Sequence, residues 1–290
     1  MRGSWLFIRK HWRNTVYSNV WIALGAAAVT WQTTLLLGKP SFDLAAFTGA
    51  ATLFTYNFQR LVKLSDRPEY IEAGRNNWLF RNRRPLGWIT VLAALACSIL
   101  FFSLTERSWL LLAMGAALSL FYVVRFFPIA GRLRALRDLP YLKLYVIGLV
   151  WALATVALPV IELNVDLTVN EWSALLLERF SFVLAITIPF DIRDMRLDHP
   201  EQRTVAQLFG VSGARTFAYI WLVASLGNSV WLYVQELYNL PVLIALSVTA
   251  IFTAILISKV RPENDEMYFT GWIDGTLVIQ TLLVQAALLF

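Results

Sequence analysis

The chain is poor in the residues from which most protein chemistry is assembled. It has one cysteine and two histidines in 290 residues. A disulfide needs two thiols, and zinc sites gather several Cys and His at short spacings, so neither a disulfide framework nor a thiolate or imidazole metal centre is available. Cys97 sits inside an apolar run, where a small packing residue is expected. His11 and His199 lack any second histidine at ligand spacing. Charge is scarce too. Asp, Glu, Lys and Arg make up 15% of the chain, whereas soluble domains carry about a quarter. With 58% hydrophobic residues and a mean hydropathy of +0.59, so much apolar length must face lipid.

Apolar runs long enough to cross a bilayer, about 20 residues each, are predicted at nine places. They cover residues 16–37, 42–61, 86–104, 109–127, 139–161, 172–190, 213–234, 240–260 and 268–290. The basic segment before the first run, with Ala26, Ala27 and Ala28 after it, has features of a cleaved signal, but the run is read as a retained first span. The expectation is an all-α, polytopic bundle of nine transmembrane helices forming one integral membrane domain over residues 1–290. Two motif-bearing loops, at about 57–85 and 191–212, interrupt it.

Lys and Arg orient such a bundle, because cytoplasmic loops are enriched in them. They gather in the N-terminal segment and after runs two, four, six and eight. The other side holds little beyond Lys39 and Arg107, among Asp43, Glu106, Glu162, Asp166 and Glu236. This places the N-terminus in the cytoplasm and the C-terminus outside; the plasma membrane of a bacterium is the expected location. The net charge of +6 is therefore a matter of topology, with no nucleic acid implied.

The sixth run ends in Asp191-Ile-Arg-Asp194-Met-Arg-Leu-Asp198, followed by Gln202-Arg203-Thr204. Carboxylates at i, i+3 and i+7 share one helix face. Such a face suits Mg²⁺, which takes oxygen ligands and is usually held by one or two carboxylates plus substrate phosphates. The second run ends in Tyr56-Asn57-Phe58-Gln59-Arg60-Leu61-Val62-Lys63-Leu64. Laid over the sixth, it sets Asn57 against Asp191 and Arg60 against Asp194, as two helix ends facing one polar pocket would.

Span count, polarity and these two helix ends resemble the UbiA superfamily of intramembrane prenyltransferases. That family carries acidic motifs after spans two and six. Asp191, Asp194, Asp198, Arg203 and Thr204 match its second motif, and Gly210 falls where the family often has glycine. The first motif matches at Asn57 alone: Phe58, Leu61 and Ser65 stand at its later acidic positions, with Asp66 one place out. The resemblance implies Mg²⁺-dependent transfer of a prenyl group from an isoprenyl diphosphate to a hydrophobic, lipid-soluble acceptor, aromatic by preference, in a lateral cavity within the lipid bilayer.

On that reading Asp191, Asp194 and Asp198 are the catalytic, metal-holding acids, and Asn57 contacts metal or phosphate. Arg60 and Lys63 stand near the lost acids, where a guanidinium grips phosphate oxygens directly. One Mg²⁺ would then remain on the Asp191 side. Tyr122, Arg125, Lys143 and Arg203 complete the expected diphosphate contacts. The same cations also serve as a belt that sets orientation. Of the aromatics, Tyr56 and Tyr145 are expected at the pocket, among Phe54, Phe58 and Phe190. The alternative is a catalytically degenerate UbiA-like protein that binds or carries polyprenyl phosphates, or a membrane scaffold. Transport of small solutes fits less well, since ionisable residues within the runs are few.

Overall fold

Asn19 adopts a left-handed conformation, φ 63°, which asparagine tolerates better than most residues, and it divides the first apolar run. Helix α1 (Arg2–Tyr17) stops before it and α2 (Val20–Leu36) starts after it. The computed structural model describes residues 2–66, 74–129, 132–196 and 200–289. Helix α3 (Phe42–Asp66) packs on α2 through a close approach at Gly49, where an added Cβ would meet that of Ala27 at 3.1 Å. A hydrogen bond from Thr48 Oγ1 to Thr30 Oγ1 at 2.8 Å ties the pair together. Small residues and buried hydroxyls of this kind hold helices together where lipid supplies no hydrophobic drive.

Next come α4 (Gly74–Arg81), α5 (Arg83–Phe101), which packs on α3, and α6 (Trp109–Val123). Pro128 directly follows the fourth apolar run. It lies in a short antiparallel hairpin, β1 (Phe127–Ile129) with β2 (Arg132–Arg134), paired so that Phe127 faces Arg134. Helix α7 (Leu142–Ala152) continues through a π segment, Leu153–Ala157, into α8 (Leu158–Glu162).

Helix α9 (Val169–Asp194) is the centre of the bundle, and most of its second half is buried. Its start is set by a reciprocal cap: Thr168 Oγ1 accepts from the Glu171 N–H while Glu171 accepts from the Thr168 N–H. Helix α10 (Val205–Val234) has the same cap from Thr204 and Gln207 and breaks direction at Gly210, φ 67°. It packs along α9 through Ala214 and Ala218, both fully buried. Helix α11 (Leu240–Ser258) follows, then a π turn at Tyr268–Ile273 that leads into α12 (Gly275–Ala287).

Apart from the β1–β2 hairpin the regular structure of the described residues is helical, and the protein is an integral membrane protein of the all-α class. Among the described residues five stretches are long and apolar enough to cross a bilayer by themselves: Arg83–Phe101, Leu142–Glu162, Val169–Asp194, Val205–Val234 and Leu240–Ser258. The count of nine crossings is not established by this measure, since α2, α6 and α12 are only 17, 15 and 13 residues long. The outward face of α11 shows what the surroundings are: Ile244, Val248, Ile251 and Ile255 are exposed at alternating four- and three-residue spacing, one apolar stripe turned away from the core.

Helices α7 and α9 touch at Gly148, where an added Cβ would lie 3.0 Å from Leu184 Cδ2 and Phe180 Cδ2. Gly148→Ala is expected to cost about 1–3 kcal/mol through overpacking. Gly87→Ala, in a helix with open space around it, should be neutral or slightly stabilising. Melting both variants in detergent tests this; equal melting temperatures would contradict the packing.

Candidate functional site: a cation-rich cavity

The ends of α3 and α9, the start of α7, helix α4 and the π turn before α12 converge on a cavity of about 270 Å³. Asn19, Tyr56, Gln59 and Arg60 line it from the first part of the chain, and Thr187, Phe190, Arg193 and Asp194 from α9. Its far part is apolar, with Val146, Ile147, Val150, Trp151, Val183, Ile186 and Leu277. Trp151 Nε1 donates to the Tyr56 hydroxyl at 3.3 Å.

The motif-bearing end is strongly positive. Five basic side chains line the cavity, Arg60, Arg75, Arg137, Lys143 and Arg193, against two acidic ones, Asp194 and Asp274. Most of these cations are tied down. Arg75, buried, donates to Glu266 at 2.9 Å, to Asn19 Oδ1 at 2.6 Å and to the Tyr17 carbonyl at 3.3 Å. Arg193 holds Asp194 through two bonds at 2.7 and 2.9 Å, reaches Glu266 at 3.0 Å, and lies 4.9 Å from the centre of the Phe190 ring. Burial works against the Glu266 carboxylate, yet the guanidiniums of Arg193 and Arg75 together hold its pKa below the ordinary value. Arg60 is different. Among the described residues it has no hydrogen-bond or ion-pair partner, although it faces the cavity.

The expected site residues fall into three groups. Arg60, Tyr122, Lys143 and Asp194 share the cavity wall. Asp191 lies just behind it, 1% exposed, with Lys143 Nζ 3.0 Å from its carboxylate. Asn57 is also buried behind the wall, and its carbonyl oxygen accepts from Asn19 Nδ2 at 2.8 Å. Arg125 and Arg203 are exposed and absent from the wall; Arg203 reaches the Tyr141 hydroxyl at 3.5 Å. Asp198 and the Lys63 side chain lie outside the described residues. Tyr56 lines the cavity as expected, whereas Tyr145 stacks on Phe180 outside it. Sequence reasoning placed Arg75 and Arg137 only among the orientation-setting basic loops and passed over Asn19, Glu266 and Asp274. A signal existed for Asp274, an acid inside the last apolar run.

The donor set can be compared with what magnesium requires. The second-motif carboxylates Asp191 and Asp194 are each paired with a cation, and among the described residues no group of three or more His, Cys, Asp or Glu could hold a metal. Asp194, on the wall, with Asp191 behind it, fits a single ion whose shell is completed by water and phosphate. A second ion on the α3 side does not fit, because the position facing Asp194 is Arg60 and Asn57 already accepts from Asn19.

A bundle with this helix order defines a class of intramembrane proteins: the chain has the UbiA fold. Among solved structures it resembles a UbiA homolog from Archaeoglobus fulgidus bound to GPP and Mg²⁺, with a TM-score of 0.62, 11% identity, and coverage of 96% of this chain and 98% of that one. The A. fulgidus homolog bound to DMAPP and Mg²⁺ gives 0.56 at 11% identity, covering 95% and 96%. The apo UbiA homolog from Aeropyrum pernix K1 gives 0.55 at 15% identity, covering 96% and 97%. No family sequence model matches the chain, and no curated protein matches it by sequence. At such identities the likeness is one of fold.

Proposed function

We propose that the protein binds an isoprenyl diphosphate in this cavity and transfers the prenyl group to a hydrophobic acceptor within the membrane. The observation that carries the reading is the division of the cavity. A cluster of five cations at one end suits a diphosphate, and an apolar, aromatic-lined far end suits an isoprenoid chain. The Archaeoglobus fulgidus UbiA homolog, of the same fold, is seen bound to GPP and to DMAPP, each with Mg²⁺. On this reading the motif-bearing end faces the cytoplasm, and the nine runs are nine crossings.

Each side chain has a task that its position allows. Arg60 grips diphosphate oxygens, and Lys143 and Arg193, already on the cavity wall beside Asp191 and Asp194, extend the positive field over the phosphates. Spreading positive charge over the leaving group is what phosphate departure needs most. Tyr56, Trp151 and Phe190 offer ring faces to the cationic carbon left behind, and the apolar walls keep water from it. A magnesium ion bound at Asp194 and Asp191 would add Lewis-acid charge stabilisation to the same oxygens.

The second reading is a binder or carrier of polyprenyl phosphates. It is favoured by one feature, the engagement of Asp191 and Asp194 by Lys143 and Arg193. Pyrophosphate release from geranyl diphosphate, measured with purified protein in nanodiscs of membrane lipid extract with Mg²⁺, separates the two. The transfer reading predicts protein-dependent release, strongly reduced in Asp194→Asn. Binding of the diphosphate with no release above the blank would support the carrier.

A further inference from the structure

Outside the cavity, cations gather on a surface built from stretches of chain that contain no acid. No Asp or Glu precedes Asp43, and none falls between Gly74 and Thr105. The first stretch carries Arg2, Arg9, Lys10 and Arg13 in α1, and the second carries Arg81, Arg83 and Arg84 where α4 passes into α5. The fold joins the two. The rings of Tyr17 and Trp78 meet edge to face at 5.7 Å, and Arg75 of α4 donates to the Tyr17 carbonyl. Lys10, Arg13, Arg81, Arg83 and Arg84 are exposed, and none of these five forms an ion pair among the described residues.

Helix α1 lies against the bundle instead of extending α2 away from it. The Trp12 and Trp21 rings are 4.7 Å apart, although nine residues of continuous helix would separate them by about 13 Å. The chain therefore turns at Asn19, and Trp12 also approaches the π turn, 3.8 Å from where a Cβ at Gly271 would sit. Trp12 and Val16 are four residues apart on one face, and Val16 is buried in the cavity wall. Helix α5 fixes the depth of this surface. It is one of the stretches able to cross a bilayer, and Arg83 and Arg84 begin it, so they stand at the level of the lipid headgroups. Exposed rings share that level: Trp12, Phe80 with the Arg83 guanidinium 4.7 Å from its centre, and Trp88. A patch made for water alone has no use for them, whereas a membrane interface collects such rings.

We propose that the joined outer surface of α1, α4 and the start of α5 binds the phosphates of anionic phospholipids, in the leaflet into which the motif-bearing end of the bundle opens. Clusters of about four to eight Lys and Arg on an amphipathic helix beside a membrane span attract such headgroups, and exposed aromatic side chains seat the helix in the interface. A belt that only sets orientation needs charge in the loops. Here the charge is carried on packed helices with rings between the cations. The inner sides of α1 and α4 supply Val16 and Arg75 to the cavity wall, so lipid bound outside steadies the wall within.

Native mass spectrometry of the full chain, released from detergent holding equal amounts of phosphatidylglycerol and phosphatidylcholine with the same acyl chains, reads the preference directly. The wild type should retain phosphatidylglycerol over phosphatidylcholine by at least about tenfold, and Lys10→Gln combined with Arg13→Gln should cut that ratio at least about fivefold. Lys259→Gln combined with Arg261→Gln removes the same charge from exposed positions just past α11 and should leave the ratio within about twofold. Added phosphatidylglycerol should also raise the melting temperature of the wild type more than that of the Lys10 and Arg13 double variant. A wild type that shows no preference overturns the proposal. So does an equal loss in the two double variants, which would mean attraction to net charge and no site on α1.

Discussion

Arg60→Ala is expected to weaken binding of geranyl thiodiphosphate by about 10- to 100-fold, because a lost hydrogen bond to a charged group costs about 1.5–3 kcal/mol and each 1.4 kcal/mol is tenfold. Arg60 reaches the cavity with no partner among the described residues, so removing it exposes no buried acid and should leave the fold intact. Arg125→Ala serves as the comparison. That residue is exposed and off the cavity wall, and its loss should leave affinity unchanged within about twofold. Calorimetric titration of both variants decides the matter. Equal affinities would mean that Arg60 belongs only to the orientation belt.

The largest expected effect on stability is at Glu266. Its carboxylate is shared by Arg75 and Arg193, at 2.9 and 3.0 Å, and all three are at most 21% exposed. Glu266→Gln keeps the volume and leaves two guanidiniums facing each other. Breaking a buried ion pair from one side costs about 3–5 kcal/mol. The pH dependence has a definite sign. Because the folded-state pKa is depressed, the contribution is complete above the unfolded value of about 4.3 and is lost as pH falls through the lower folded value. The gap in detergent melting temperature between wild type and Glu266→Gln should therefore be wide at pH 7 and narrow below about pH 4. A gap that stays constant down to pH 3 would contradict this assignment.

Much of the architecture could be read before any coordinates, and for simple reasons. Lipid leaves a spanning segment no choice but to satisfy its own backbone, so apolar length alone indicates helices. The facing of the α3 and α9 ends was legible from the parallel placement of Asn57-x-x-Arg60 and Asp191-x-x-Asp194, and both reach the same cavity region. What sequence could not supply was the partnership of each charge. Arg75, Arg193 and Arg137 have the composition of a positive-inside belt and become site residues only because α4, α9 and the turn before α7 fold inward. Arg125 and Arg203 show the converse, cations at expected positions that point away. The left-handed Asn19 and the two π segments depend on tertiary fit, which hydropathy does not record.

The most direct test is titration of the wild-type chain with geranyl thiodiphosphate, with and without Mg²⁺. The account predicts measurable binding without the metal, carried by Arg60, Lys143 and Arg193, and a further gain with it that Asp194→Asn removes. No binding under either condition would contradict the central claim that the cavity is made for a prenyl diphosphate.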